Sequence, residues 1–76
     1  MSEVEWIEIF GDNLASLLDD ARMTQRELAD ETGLSDSTIS RYLNKQMAPS
    51  FKAIINISYA LDVSIDELMD FGDRII

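Results

Sequence analysis

Three residues, Gly33-Leu34-Ser35, are all that separates two short amphipathic patterns in this chain, and that tight junction restricts the fold more than any other feature. On its upstream side, Thr24-Gln25-Arg26-Glu27 reads as a capping box. In such a box the threonine oxygen accepts from the amide three residues on, and the glutamate reaches back to the amide of the cap. The helix so opened is expected over residues 25–32, with Leu28 and Ala29 turned inward. Gly33 stands where a helix C-terminus needs a left-handed residue, which glycine adopts without a Cβ penalty. Ser35 is then a natural N-cap for a further helix over 36–43, whose apolar side is Ile39, Tyr42 and Leu43.

The same signals divide the rest of the chain. Leu14, Leu17, Leu18 and Ala21 recur at helical spacing, so a first helix is expected over residues 11–22. Trp6, Ile7 and Phe10 extend its stripe as far back as Val4, although Gly11 weakens that extension. Asn44 begins a polar loop closed by Pro49, the only proline. Ser50 caps a fourth helix over 51–61, with Phe51, Ile54, Ile57 and Leu61 expected on its core face. After the turn Asp62-Val63, Ser64-Ile65-Asp66-Glu67 repeats the capping-box pattern and opens a fifth helix through Leu68 and Met69. The expectation is an all-α fold of five short helices in one domain of 76 residues. Residues 10–69 form its core, residues 1–9 an N-terminal extension and residues 70–76 a tail of no clear period.

Composition removes several function classes. The chain has no cysteine and no histidine, so no disulfide, no thiolate site and no imidazole base or ligand is available. No carboxylates are paired across an evident cleft, and no glycine-rich phosphate loop is present; an enzyme, a metal site and a cofactor are not expected. No apolar run approaches the roughly 20 residues a membrane span needs, and the N-terminus lacks a basic-then-apolar pattern, which points to a cytoplasmic protein with no membrane partner. The net charge is −9, yet its distribution is uneven. Residues 1–22 carry six acids and one base, and residues 53–76 five acids and one base. The middle segment is neutral, with Arg26, Arg41, Lys45 and Lys52 balancing Glu27, Asp30, Glu31 and Asp36. Such a molecule either presents a cationic strip to an anionic polymer or is simply kept soluble by acid.

Two helices joined by a three- or four-residue turn containing glycine describe a helix-turn-helix. Ala29 is small where the two helices cross, Gly33 tolerates positive φ, and Leu34 and Ile39 are apolar where burial sets the crossing angle. The string Thr24-Gln25-x-x-Leu28-Ala29-x-x-x-Gly33-Leu34-Ser35-x-x-x-Ile39-Ser40-Arg41-Tyr42 resembles the Cro and lambda-repressor-like helix-turn-helix family. The likeness continues through Pro49-Ser50 and Leu61-x-Val63-Ser64-x-x-Glu67-Leu68, and so covers about residues 10–69.

The resemblance implies a compact five-helix lambda-repressor-like domain that binds double-stranded DNA through its third helix. Asp36, Ser37 and Arg41 would then face base edges, Arg41 foremost because a guanidinium can bind guanine O6 and N7 together. For Asp36 two roles stay open, acceptor from a cytosine amine or a helix-start charge favoured by the dipole. Gln25, Ser35, Thr38, Asn44, Lys45 and Lys52 would contact phosphates, while Thr24 and Ser50 read as plain N-caps. Many relatives carry an Arg and a Glu that tie the first helix to the third; Leu18 and Leu43 occupy those positions here and are expected to touch. Lys45-Gln46 also departs from the Asn-Gly or Gly-Lys common in relatives.

Ile55 and Tyr59 lie off the core face of the fourth helix. With Met69, Phe71, Ile75 and Ile76 they form a candidate homodimer patch. The implied function is a transcriptional regulator, a repressor acting as a dimer on a palindromic operator, of the kind carried by a phage or another mobile element. The alternative is an antitoxin-like or adaptor module on the same fold that works through protein contacts, with its acidic faces meeting a basic partner.

Overall fold

The structure, a computed structural model, describes residues 3–70, with side chains from Glu5 onward. Within them the chain forms five α-helices: α1 Glu3–Ala21, α2 Gln25–Thr32, α3 Asp36–Leu43, α4 Phe51–Leu61 and α5 Ile65–Leu68. Each start from α2 onward has the expected cap. Thr24, Ser35, Ser50 and Ser64 are all extended, and each side-chain oxygen accepts from the amide three residues on. No described helix is long and apolar enough to cross a membrane.

Every helix contributes to one core. Phe10 and Leu14 from α1, Leu28 from α2, Ile39 from α3, Ile57 from α4 and Leu68 from α5 are all fully buried. α1 packs on α3, α4 and α5, while α2 packs on α3 and α4. Burying a side chain of this size is worth roughly 1.5–3 kcal/mol, so removing any one would weigh heavily in so small a domain. Leu18 belongs to this core, and Leu43 packs against it half-buried.

Two elements differ from the sequence reading. α1 runs unbroken through Gly11 and begins at Glu3, so the glycine is an interior helical residue and not a boundary. Phe51 was expected on the core face of α4 but is 72% exposed. It is the first residue of the helix, where a side chain leans back off the N-terminal end. The inner face is filled by Ala53, Ile54, Ile57, Ser58 and Leu61, with the Ser58 hydroxyl satisfied by donating to the Ile55 carbonyl at 2.8 Å.

A side-chain amide secures α5. Asn13 Nδ2 donates to the carbonyls of Leu68 (3.0 Å) and Asp70 (2.9 Å), fastening the end of this one-turn helix to α1. Three helix exits use a non-glycine residue at positive φ: Arg22 (54°), Lys45 (62°) and Asp62 (55°).

Candidate nucleic-acid interface

The junction between α2 and α3 is built from local polar bonds over an apolar floor. Glu27 N–H donates to Thr24 Oγ1 at 3.1 Å, and Thr24 N–H donates to Glu27 Oε1 at 3.0 Å, completing the reciprocal box. The Thr24 amide first, and its hydroxyl second, hold the Glu27 carboxyl below its usual range. Gly33 takes φ 76° and ψ 6°, and its amide reaches the Ala29 carbonyl at 3.0 Å. The Thr32 hydroxyl donates to the Leu28 carbonyl (2.8 Å) and accepts from Leu34 N–H (3.3 Å). Beneath these bonds Leu28, Ala29, Ile39 and Tyr42 are buried and Leu34 is half-buried, which fixes how α3 crosses α2.

On the outer side, Gln25, Asp36, Ser37, Ser40, Arg41 and Gln46 line one open polar depression. The three residues expected to read bases therefore share a surface with Gln25, one of the expected phosphate contacts. Gln25 Nε2 donates across the turn to the Asp36 carbonyl at 3.1 Å, joining the start of α2 to the start of α3. Arg41 is exposed and, among the described residues, makes no ion pair, so its guanidinium has all its donors to offer. Ser40 and Gln46 line the depression too, and sequence reasoning missed both. Ser40 follows Asp36 by one helical turn, a usable signal. Gln46 lies beyond the helix and is brought back only by the turn that follows it.

The remaining expected contacts are more scattered. Ser35 Oγ accepts from Thr38 N–H at 3.1 Å and lies 2.9 Å from the Thr38 hydroxyl, so the pair caps α3. Asn44 Nδ2 donates to Ser40 Oγ at 3.2 Å, beside the depression. Lys52 is exposed in the first turn of α4. Lys45 Nζ lies 2.8 Å from Asp12 Oδ1. That hydrogen-bonded partner, with its charge and that of Glu8, raises the lysine above its ordinary value despite some desolvation.

The expected self-association residues also divide. Tyr59 is 81% exposed, Ile55 is half-buried, and both line a groove with Val63 and Ile65. Phe51, Ile55 and Tyr59 recur every fourth residue and so share one outward stripe of α4. Met69 is half-buried against the molecule's own core, which leaves less of it for a partner. Phe71, Ile75 and Ile76 lie outside the described residues.

Tight junction, buried crossing and exposed outer face of α3 coincide with a known pattern: the helix-turn-helix family model matches residues 14–68. The chain belongs to the Cro and lambda-repressor-like helix-turn-helix family. Its relatives include an uncharacterized HTH-type transcriptional regulator, YqaE, of Bacillus subtilis, 34% identical over 61 residues, or 80% of this chain and 53% of that protein. They also include the cryptic phage CTXphi transcriptional repressor RstR of Vibrio cholerae, 38% identical over 45 residues, or 59% of this chain and 40% of RstR. The chain thus spans about half the length of these relatives or less. Both relatives are named as transcriptional regulators.

Proposed function

We propose that this helix-turn-helix domain is a cytoplasmic, sequence-specific repressor that binds a palindromic duplex operator as a homodimer. The observation that carries the reading is the single depression uniting Gln25, Asp36, Ser37 and Arg41 on the exposed side of α3. Arg41 reads a guanine edge, Ser37 and Asp36 read neighbouring bases, and Gln25, Ser35, Thr38, Asn44 and Lys52 hold the backbone. The relative RstR, a phage repressor by name, supports a repressor over an activator.

A net charge of −9 makes the dimer part of the function. Nonspecific attraction grows with the number of phosphates neutralised, and few cations are available here. Two subunits would place two recognition helices about 34 Å apart, one turn of DNA, and so double the specific contacts. The stripe of Phe51, Ile55 and Tyr59 with Ile65 is the surface proposed to pair, since it is the described face where large apolar side chains remain open to solvent.

Selection from random duplexes at several salt concentrations tests the reading. Enrichment of a palindrome, with affinity falling steeply as salt rises, is the expected result. Tyr59→Glu should then leave binding to a single half-site and a monomer in sedimentation. No duplex binding at low salt would overturn the proposal and favour a module that acts on a protein partner.

A further inference from the structure

α1 holds its helical path through Gly11 although glycine is a poor residue for a helix interior. The reason lies on α3. A Cβ at position 11 would stand 2.8 Å from the Tyr42 carbonyl oxygen, 3.0 Å from Lys45 Cγ and 3.6 Å from the Leu43 carbonyl oxygen. The nearest of these is backbone and cannot swing aside. Only glycine lets the carbonyl end of α3 settle this deeply on α1.

The residue that closes over Gly11 is itself unusual. Lys45 sits at φ 62°, and the bonds from Gln46 N–H to the Arg41 carbonyl (2.8 Å) and from Lys45 N–H to the Tyr42 carbonyl (3.2 Å) make a Schellman ending. Glycine suits that position, and a side chain there strains the backbone. What lysine adds is a stem laid across Gly11 and an ammonium on Asp12 at 2.8 Å. An exposed, solvent-screened pair of this kind adds little to stability and does not offset the strain it accompanies. Stability therefore does not account for lysine here, whereas placement does.

We infer that Gly11 and the Asp12–Lys45 pair position the recognition helix, and that Lys45 is a positioning residue of the interface and not a phosphate contact. The inference rests on the DNA-binding reading above. Its mechanical link is short: the Arg41 carbonyl is the acceptor of the same turn that carries Lys45, and Ser40 and Gln46 flank it in the depression. Gln25 holds the other end of α3 through the Asp36 carbonyl. With both ends fixed, the angle at which Ser37 and Arg41 meet base edges is set before DNA arrives.

The experiment compares the wild type with Gly11→Ala, Asp12→Asn, Lys45→Met and Ile57→Val, each checked as folded by circular dichroism at the assay temperature. The readout is the ratio of affinity for the selected operator to affinity for scrambled duplex, with the salt dependence of each. Taking the ratio cancels the general gain from removing a carboxylate. Gly11→Ala should lower it by about tenfold or more, the scale of one lost bidentate base contact. Asp12→Asn and Lys45→Met should lower it by about two- to fivefold, the scale of an exposed ion pair. Lys45→Met should keep the wild-type salt slope, and Ile57→Val, a core change on α4 outside the α1–α3 clip, should keep the wild-type ratio. An unchanged ratio in Asp12→Asn and Lys45→Met, or a Lys45→Met slope shallower by about 0.9 per subunit, would overturn the inference while leaving DNA binding intact. A wild type that enriches no sequence would overturn the DNA reading itself, and the inference with it.

Discussion

Phe10 and Tyr42 meet edge to face, with ring centroids 5.7 Å apart and planes at 81°, and this contact joins the first helix to the third. Edge-to-face pairs add about 0.5–1.5 kcal/mol beyond the area they bury. Phe10 is fully buried and Tyr42 nearly so. Phe10→Ala should cost about 3–5 kcal/mol, enough to unfold much of a domain this small in a urea titration followed by circular dichroism. Tyr42→Phe keeps the ring contact and should cost far less. Burial also raises the Tyr42 hydroxyl above its ordinary 10.0, so its neutral form is favoured by folding. That contribution is complete below the ordinary value and is lost as pH climbs through the raised one. Tyr42→Phe should flatten the alkaline limb of the stability curve by the Tyr42 share; an unchanged limb would refute the assignment.

Glu27 gives the opposite pH signature. Its carboxyl is lowered by the Thr24 amide and hydroxyl, so the charged form is favoured in the folded state. The support it lends α2 is present above the ordinary glutamate value and fades as pH falls through the lowered one. A carboxyl titration by NMR should show Glu27 ionising below the ordinary glutamate value. In Glu27→Gln the amides at the start of α2 should exchange faster at neutral pH.

Leu18 lies in the core and Leu43 packs against it, at positions where the family resemblance puts an ion pair in many members. Where the two side chains meet, the double variant Leu18→Arg with Leu43→Glu should be destabilised less than the sum of the two single variants. A favourable coupling of about 0.5–3 kcal/mol in a double-mutant cycle is the expected outcome. The double variant should still fall short of the wild type, because two charges at a half-buried seam must be desolvated. Strict additivity would place the residues apart.

Arg41 and Lys52 should separate base reading from backbone holding. Arg41→Ala is expected to relax preference at one base pair per half-site and to weaken operator binding by about 1–3 kcal/mol. Lys52→Ala should weaken operator and scrambled duplex alike and make the salt slope shallower by about 0.9 per subunit. Interchanged results would assign the two cations to each other's roles.

Legibility in the sequence tracked how local the cause was. The starts of α2, α3, α4 and α5 were readable because Thr24, Ser35, Ser50 and Ser64 bond within four residues of themselves. Gly33 was readable for the same reason, since its φ is a property of the turn alone. Gly11 was misleading because its justification, the Tyr42 carbonyl, lies on another helix. The two hydrogen bonds that Asn13 donates to the Leu68 and Asp70 carbonyls join residues more than fifty positions apart and leave no local trace. Phe51 fitted the apolar period of α4, but a helix end has fewer neighbours than its middle and the ring stayed outside. Within the site, the family resemblance pointed to Asp36, Ser37 and Arg41, which line one depression, whereas nothing near Lys45 in sequence announces its ion pair with Asp12.

Arg22 and Asp62, which leave α1 and α4 in the left-handed conformation, belong to neither the depression nor the clip at Lys45. Each gives up roughly 1–2 kcal/mol that glycine would retain. A lineage of this domain thus carries two simple routes to added stability that leave its reading surface unaltered. That reserve gives the outer face of α3 room to change as operators change, because a substitution there that loosens the fold has a one-codon remedy elsewhere in the chain.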